Sequence, residues 1–117
     1  MLQVDRRRFS DGCTALYSAS AKGHIGIVRC LLEAGADFKL TCAETDVSPL
    51  MIAAYHSRLE VVQELLEVGA DPNIGSTDGA TAIFYAAQKG HLEVIRILLD
   101  GTHFTLHLTH SIWLWNS

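Results

Sequence analysis

Long apolar runs are missing from this chain of 117 residues. None approaches the roughly 20 residues that cross a bilayer, and the N-terminus has no apolar signal-peptide region. Cysteine is scarce. Cys13, Cys30 and Cys42 are odd in number, lack metal-ligand spacing, and read as free thiols of a reducing compartment, the cytosol or the nucleus. Positive charge is in deficit: 9 Lys and Arg against 13 Asp and Glu leave −4, which gives no nonspecific attraction to DNA, RNA or an anionic membrane. A basic or neutral partner face is therefore expected. Gly-rich phosphate loops, a Ser-His-Asp order and paired carboxylates are all missing, so no catalytic residue and no cofactor is assigned. What the chain has in quantity is apolar residues, 49% of the total, ample for the core of one domain.

Those residues are ordered most clearly between Ser48 and Asn73. Ser48 can accept a hydrogen bond from the free backbone N–H groups of a helix start, and Pro49 follows where its missing N–H does no harm. After a polar break at Tyr55-His56-Ser57-Arg58, Val61, Val62, Leu65 and Leu66 recur on one helical face, with Glu60, Gln63, Glu64 and Glu67 pointing elsewhere. Gly69 suits a left-handed helix end, and Pro72 blocks continuation. The stretch reads as helix, turn, helix and loop.

It occurs three times. Thr14, Ser48 and Thr81 are spaced by 34 and 33 residues, as are Leu31-Leu32, Leu65-Leu66 and Leu98-Leu99. Ala19, Ala53 and Ala86 keep the same register, as do Ile27-Val28, Val61-Val62 and Val94-Ile95. The connection leading to Ser48 is one residue longer than that leading to Thr81, an insertion near Thr41-Cys42-Ala43-Glu44.

Asp78-Gly79-x-Thr81-Ala82-Ile83, Ala86-Ala87-x-x-Gly90-His91-Leu92-Glu93-Val94-Ile95 and Gly69-Ala70-Asp71-Pro72-Asn73 resemble the ankyrin repeat. The resemblance implies an all-α solenoid of stacked helix-turn-helix units with projecting hairpin-like loops. It divides the chain into a partial preceding loop (1–8), three repeats (9–42, 43–75 and 76–101) and a non-repeat tail (102–117). It further implies a protein partner, held on the concave face and loop edge. The residues so placed are Lys22, Glu44, Thr45, Tyr55, His56, Asp78, Gln88 and Lys89, with Tyr55 as the anchor because a semi-exposed aromatic among polar groups is the usual make-up of a contact hot spot. His24 and His91 match structural turn positions of the family. Asn73 stands where ankyrin proteins are sometimes hydroxylated, but Pro72 before it favours a loop hydrogen-bonding role.

The copies differ in ways that matter physically. Gly26 replaces the acidic residue found at Glu60 and Glu93, which weakens the second helix of repeat one by about 1 kcal/mol relative to alanine. Ser57-Arg58 replaces Gly-His where glycine usually supplies φ > 0, so Ser57 is expected either to strain slightly or to shift the turn. The run Arg6-Arg7-Arg8 is too short for a basic targeting patch and reads as solvated loop. Beyond Gly101 the pattern stops, and Trp113 and Trp115 sit in an apolar cluster that reads either as a C-terminal cap or as an unrelated ending. His103, His107 and His110 would face one metal on a helix, yet the interleaved threonines favour a strand that turns His110 away, so no metal site is assigned. The functional expectation is a non-catalytic protein–protein interaction module, a scaffold or adaptor, with self-association possible through uncapped ends. The alternatives are a truncated fragment of a longer repeat protein without a role of its own, and a targeting part of a larger enzyme or channel.

Overall fold

The computed structural model describes residues 3–8 and 12–102. The tail expectations at His103, His107, His110, Trp113 and Trp115 lie outside them. Six helices follow in order: α1 (Ala15–Lys22), α2 (Ile25–Glu33), α3 (Pro49–Tyr55), α4 (Leu59–Glu67), α5 (Ala82–Lys89) and α6 (Leu92–Thr102). They form three antiparallel pairs. First helices stack in the order α1, α3, α5, and second helices in the order α2, α4, α6. No helix among the described residues is long and apolar enough to cross a membrane.

Helix starts follow the expected chemistry in two copies of three. Thr14 Oγ1 accepts from the Tyr17 backbone N–H and Ser48 Oγ from that of Met51, each at 3.2 Å. Thr81 has the same extended backbone, but its hydroxyl makes no capping bond. The turns between paired helices need a residue at positive φ. Gly23 and Gly90 supply it at +75°, and Ser57 is held at +58° in the same place, a left-handed conformation that costs a residue with a Cβ more than it costs glycine.

The core is a column of aliphatic side chains from the helix faces turned inward. Val28, Val61, Val62, Leu65, Val94 and Leu98 are all buried, each worth roughly 1.5–3 kcal/mol relative to exposure. Leu66 is only half-buried. Position in the stack, more than residue type, decides burial. Val61 is 1% exposed while its register mate Ile27 is 53% exposed, because among the described residues no helix lies beyond α2 at that end of the stack. The same holds at the other end, where Phe84 is 53% exposed and its register mate Met51 only 3%.

One buried group lacks a partner. Ser20 is fully buried, and its Oγ has no hydrogen bond among the described residues; the equivalent positions hold Ala54 and Ala87. An unsatisfied buried hydroxyl costs about 1–3 kcal/mol. Ser20→Ala should therefore stabilise the array by about 1 kcal/mol in urea unfolding, and a loss of stability on that substitution would show that the hydroxyl is bonded.

The loops correct one expectation. Cys13 and Cys42 are not free thiols: they form a disulfide across 29 residues, with Cα atoms 4.2 Å apart and both side chains buried. Only Cys30, exposed on α2, is a free thiol among the described residues. The bridge ties the loop before α1 to the loop before α3, alongside a hydrogen bond from Ala43 N–H to Gly12 C=O at 3.2 Å. The inserted residue is taken up in the next turn, where Cys42 N–H bonds Val47 C=O and Asp46 sits at φ +58°; the equivalent turn of repeat three, from Ser76 N–H to Ala80 C=O, is one residue tighter. Arg7, expected to be solvated, is exposed yet donates to the carbonyls of Gly12 and Thr41, which fastens the N-terminal segment to the same loops.

Candidate functional site

The helix-turn edge of the stack is built by two cross-repeat hydrogen bonds of one design. Arg58 Nε donates to Ala21 C=O at 2.9 Å, and His91 Nε2 lies 2.9 Å from Tyr55 C=O. Ala21 and Tyr55 are register mates, as are Arg58 and His91. The departure from Gly-His in repeat two thus keeps the junction and changes only the donor. A carbonyl oxygen can only accept, so the His91 proton resides on Nε2.

These junctions place Tyr55 at the end of α3, half-buried against α5. Its ring meets Tyr85 edge-on at 6.2 Å between centroids and His56 at 5.0 Å, and Lys89 Nζ lies 5.2 Å from its centre. An ammonium over a tyrosine face is worth about 0.5–1 kcal/mol at an exposed site. Phe84 continues the aromatic row, edge-on to Tyr85 at 5.9 Å. Of the residues assigned from sequence, Tyr55, His56 and Lys89 come together here, with Gln88 exposed beside Lys89 and Lys22 exposed at the last turn of α1. Glu44, Thr45 and Asp78 are exposed on the loops instead. Asp78 accepts there from Ser76 Oγ and from the Ala80 N–H, which hold its carboxyl below the usual 3.8.

Several contributors escaped the sequence reading. Tyr85 and Phe84 stand at register positions filled by Ile52 and Met51 in repeat two and were not among the residues assigned to the site. Asp46 links the loop tips of repeats two and three by accepting from Thr77 Oγ1. That bond first, and Thr41 second, hold its pKa below the usual 3.8. The clue for Tyr85 was available: a tyrosine where a neighbouring copy has an aliphatic residue has a polar end to place.

His56 carries the electrostatic signature of this edge. Burial first, then the neighbouring Arg58, Lys89 and His91, push its pKa below the ordinary 6.5. It is neutral at pH 7. Because its folded pKa is depressed, its contribution to stability is complete above pH about 6.5 and is lost as pH falls through the folded value. A proton NMR titration should place the His56 midpoint below 6.5, and Lys89→Gln should raise it. A wild-type midpoint at or above 6.5 would refute this account.

Three stacked helix-turn-helix units, with loops tied from one repeat to the next, define a repeat solenoid. The chain belongs to the ankyrin repeat family: the family model of ankyrin repeats (3 copies) matches residues 39–107, and that of a single ankyrin repeat matches residues 11–42. It is 38% identical over 92 residues to the ankyrin repeat and KH domain-containing protein mask-1 of Caenorhabditis elegans, covering 79% of this chain and 4% of that protein. A probable E3 ubiquitin-protein ligase, XBOS33, of Oryza sativa subsp. japonica is 42% identical over 89 residues, covering 72% of this chain and 16% of the ligase. The B-cell lymphoma 3 protein homolog of Mus musculus is 36% identical over 89 residues, 76% of this chain and 20% of that protein. The chain thus spans only 4–20% of the length of these relatives. Ankyrin repeats act as protein–protein interaction modules.

Proposed function

We propose that the chain is a non-catalytic scaffold or adaptor module that holds a protein partner along the helix-turn edge centred on Tyr55. The observation that carries this reading is the half-buried Tyr55 ring, fixed by Tyr85 and His56 and with the Lys89 ammonium over it. A rigid aromatic ringed by polar groups loses little entropy on binding and is the usual centre of an interface. The cytosol or nucleus is the compartment we propose, on the strength of the exposed Cys30 thiol; burial of Cys13 and Cys42 would shield their bridge from reductants there.

The test is affinity. The chain is immobilised, a bound protein is identified and purified, and its dissociation constant is measured against wild type and Tyr55→Ala. Loss of a hot-spot aromatic should weaken binding by about thirtyfold or more. An unchanged constant would place the interface elsewhere. A second reading, that the repeats recruit partners for an enzyme, is favoured by the relative named as a probable E3 ubiquitin-protein ligase; ubiquitin transfer to the bound protein in a reconstituted assay would decide for it.

A further inference from the structure

The net charge of −4 hides a sharp segregation. The ends of the three first helices and the turns that follow, residues 19–24, 53–58 and 86–91, contain Lys22, Arg58 and Lys89, three histidines, and no Asp or Glu. All 13 carboxylates lie elsewhere in the chain. The next ones along, Glu60 and Glu93, belong to the second helices, and Glu93 is paired there with Arg96 at 3.1 Å.

Stacking brings the three segments side by side. Arg58 reaches the Ala21 carbonyl beside Lys22, His91 reaches the Tyr55 carbonyl, and Lys89 lies over the Tyr55 ring. The charges whose fields act on His56 are Arg58, Lys89 and His91, with no carboxylate among them. Lys22 and Lys89 are exposed, and neither makes an ion pair among the described residues. The edge is a cationic strip with an aromatic centre on a chain of opposite net charge.

Resting on the reading of this edge as the partner-binding surface, we propose that it docks an acidic peptide segment of the partner protein. Carboxylates of that segment meet Lys22 and Lys89, and an apolar side chain between them seats on Tyr55. Charge-assisted hydrogen bonds from exposed ammonium groups cost little desolvation at such a rim, and complementary charge speeds encounter and fixes register. A protein segment suits the strip better than a nucleic acid. Three fixed charges fall short of the roughly 6–10 phosphate contacts that sustain electrostatic nucleic-acid binding, and the acidic remainder of the chain repels an extended polyanion.

The experiment sorts a random peptide display library on the full fluorescent chain, then on Lys22→Glu/Lys89→Glu and on Tyr55→Ala. Circular dichroism checks that each variant is folded. Wild type should enrich sequences rich in Asp and Glu around an apolar residue, losing at least about tenfold in retention as salt rises from about 0.05 to 0.3 M. The charge-reversed variant should enrich Lys and Arg instead. Neutral or basic sequences enriched on wild type and lost on Tyr55→Ala would overturn the acidic partner but keep the edge as the binding surface. No enrichment, or enrichment indifferent to Tyr55→Ala, would overturn both. Displacement of the enriched peptides by a single-stranded RNA oligonucleotide at lower concentration than by an acidic peptide would overturn the assignment to protein.

Discussion

Truncation of Leu65 to alanine should lower the stability of the array by about 3–4 kcal/mol, the largest single-residue effect expected here. Leu65 is fully buried in the C-terminal half of α4, and α4 lies between α2 and α6. Because α4 has a packed helix on each side, a cavity in it is not closed by moving one helix, so both the transfer term and the void are felt. The control is Ile27→Ala. Ile27 shares its register with the buried Val61 but is half-exposed on the outer side of repeat one, so its loss should cost under about 1 kcal/mol. Urea unfolding followed at the helix band measures both. Equal losses would mean that the stack is not organised around its middle repeat.

Opening the Cys13–Cys42 bridge should cost about 3–4 kcal/mol, the loop-closure entropy released to the unfolded chain by a cross-link over 29 residues. Against a typical domain stability of about 5–15 kcal/mol, that is a large share. The bridge spans the junction between repeats one and two, and repeat one lacks an acidic residue in the first turn of α2, so the loss should be local. Repeat one should unfold at lower urea than repeats two and three, and the transition should broaden. Adding a phosphine reductant and making Cys13→Ala/Cys42→Ala should have the same effect, and the variant should ignore the reductant. If wild type and variant share one midpoint under oxidising conditions, the bridge contributes nothing.

Much of this architecture was legible because it rests on local signals repeated in register. The caps at Thr14 and Ser48, the aliphatic pairs of the second helices and the proline at the start of α3 each specify local structure, and three copies removed the ambiguity of any one. The capping hydroxyl at Thr81 was not legible, because its residue type and backbone match the other two and only side-chain placement differs. The disulfide was hidden by an odd cysteine count and by positions that are not register mates. Cys13 lies directly before its helix cap and Cys42 six residues before the next, and only the stacked loops make them neighbours. Tyr55, His56 and Lys89 came from repeat register, whereas Tyr85 did not, since its place in the pattern is an interior one. The charge balance pointed to a basic or neutral partner because it averages over every face, while the helix-turn edge carries only cations and histidines.

The paired junction bonds divide labour within a single residue. Arg58 and His91 each grip the main-chain oxygen of the preceding repeat, an atom every amino acid possesses. The junction bonds do not depend on which side chains stand at the two gripped positions, Ala21 and Tyr55. Tyr55 is gripped through its backbone oxygen, while its ring lies half-buried at the edge against Tyr85 of the next repeat. Selection can rewrite recognition at that site from one amino acid to another while the scaffold beneath it stays the same.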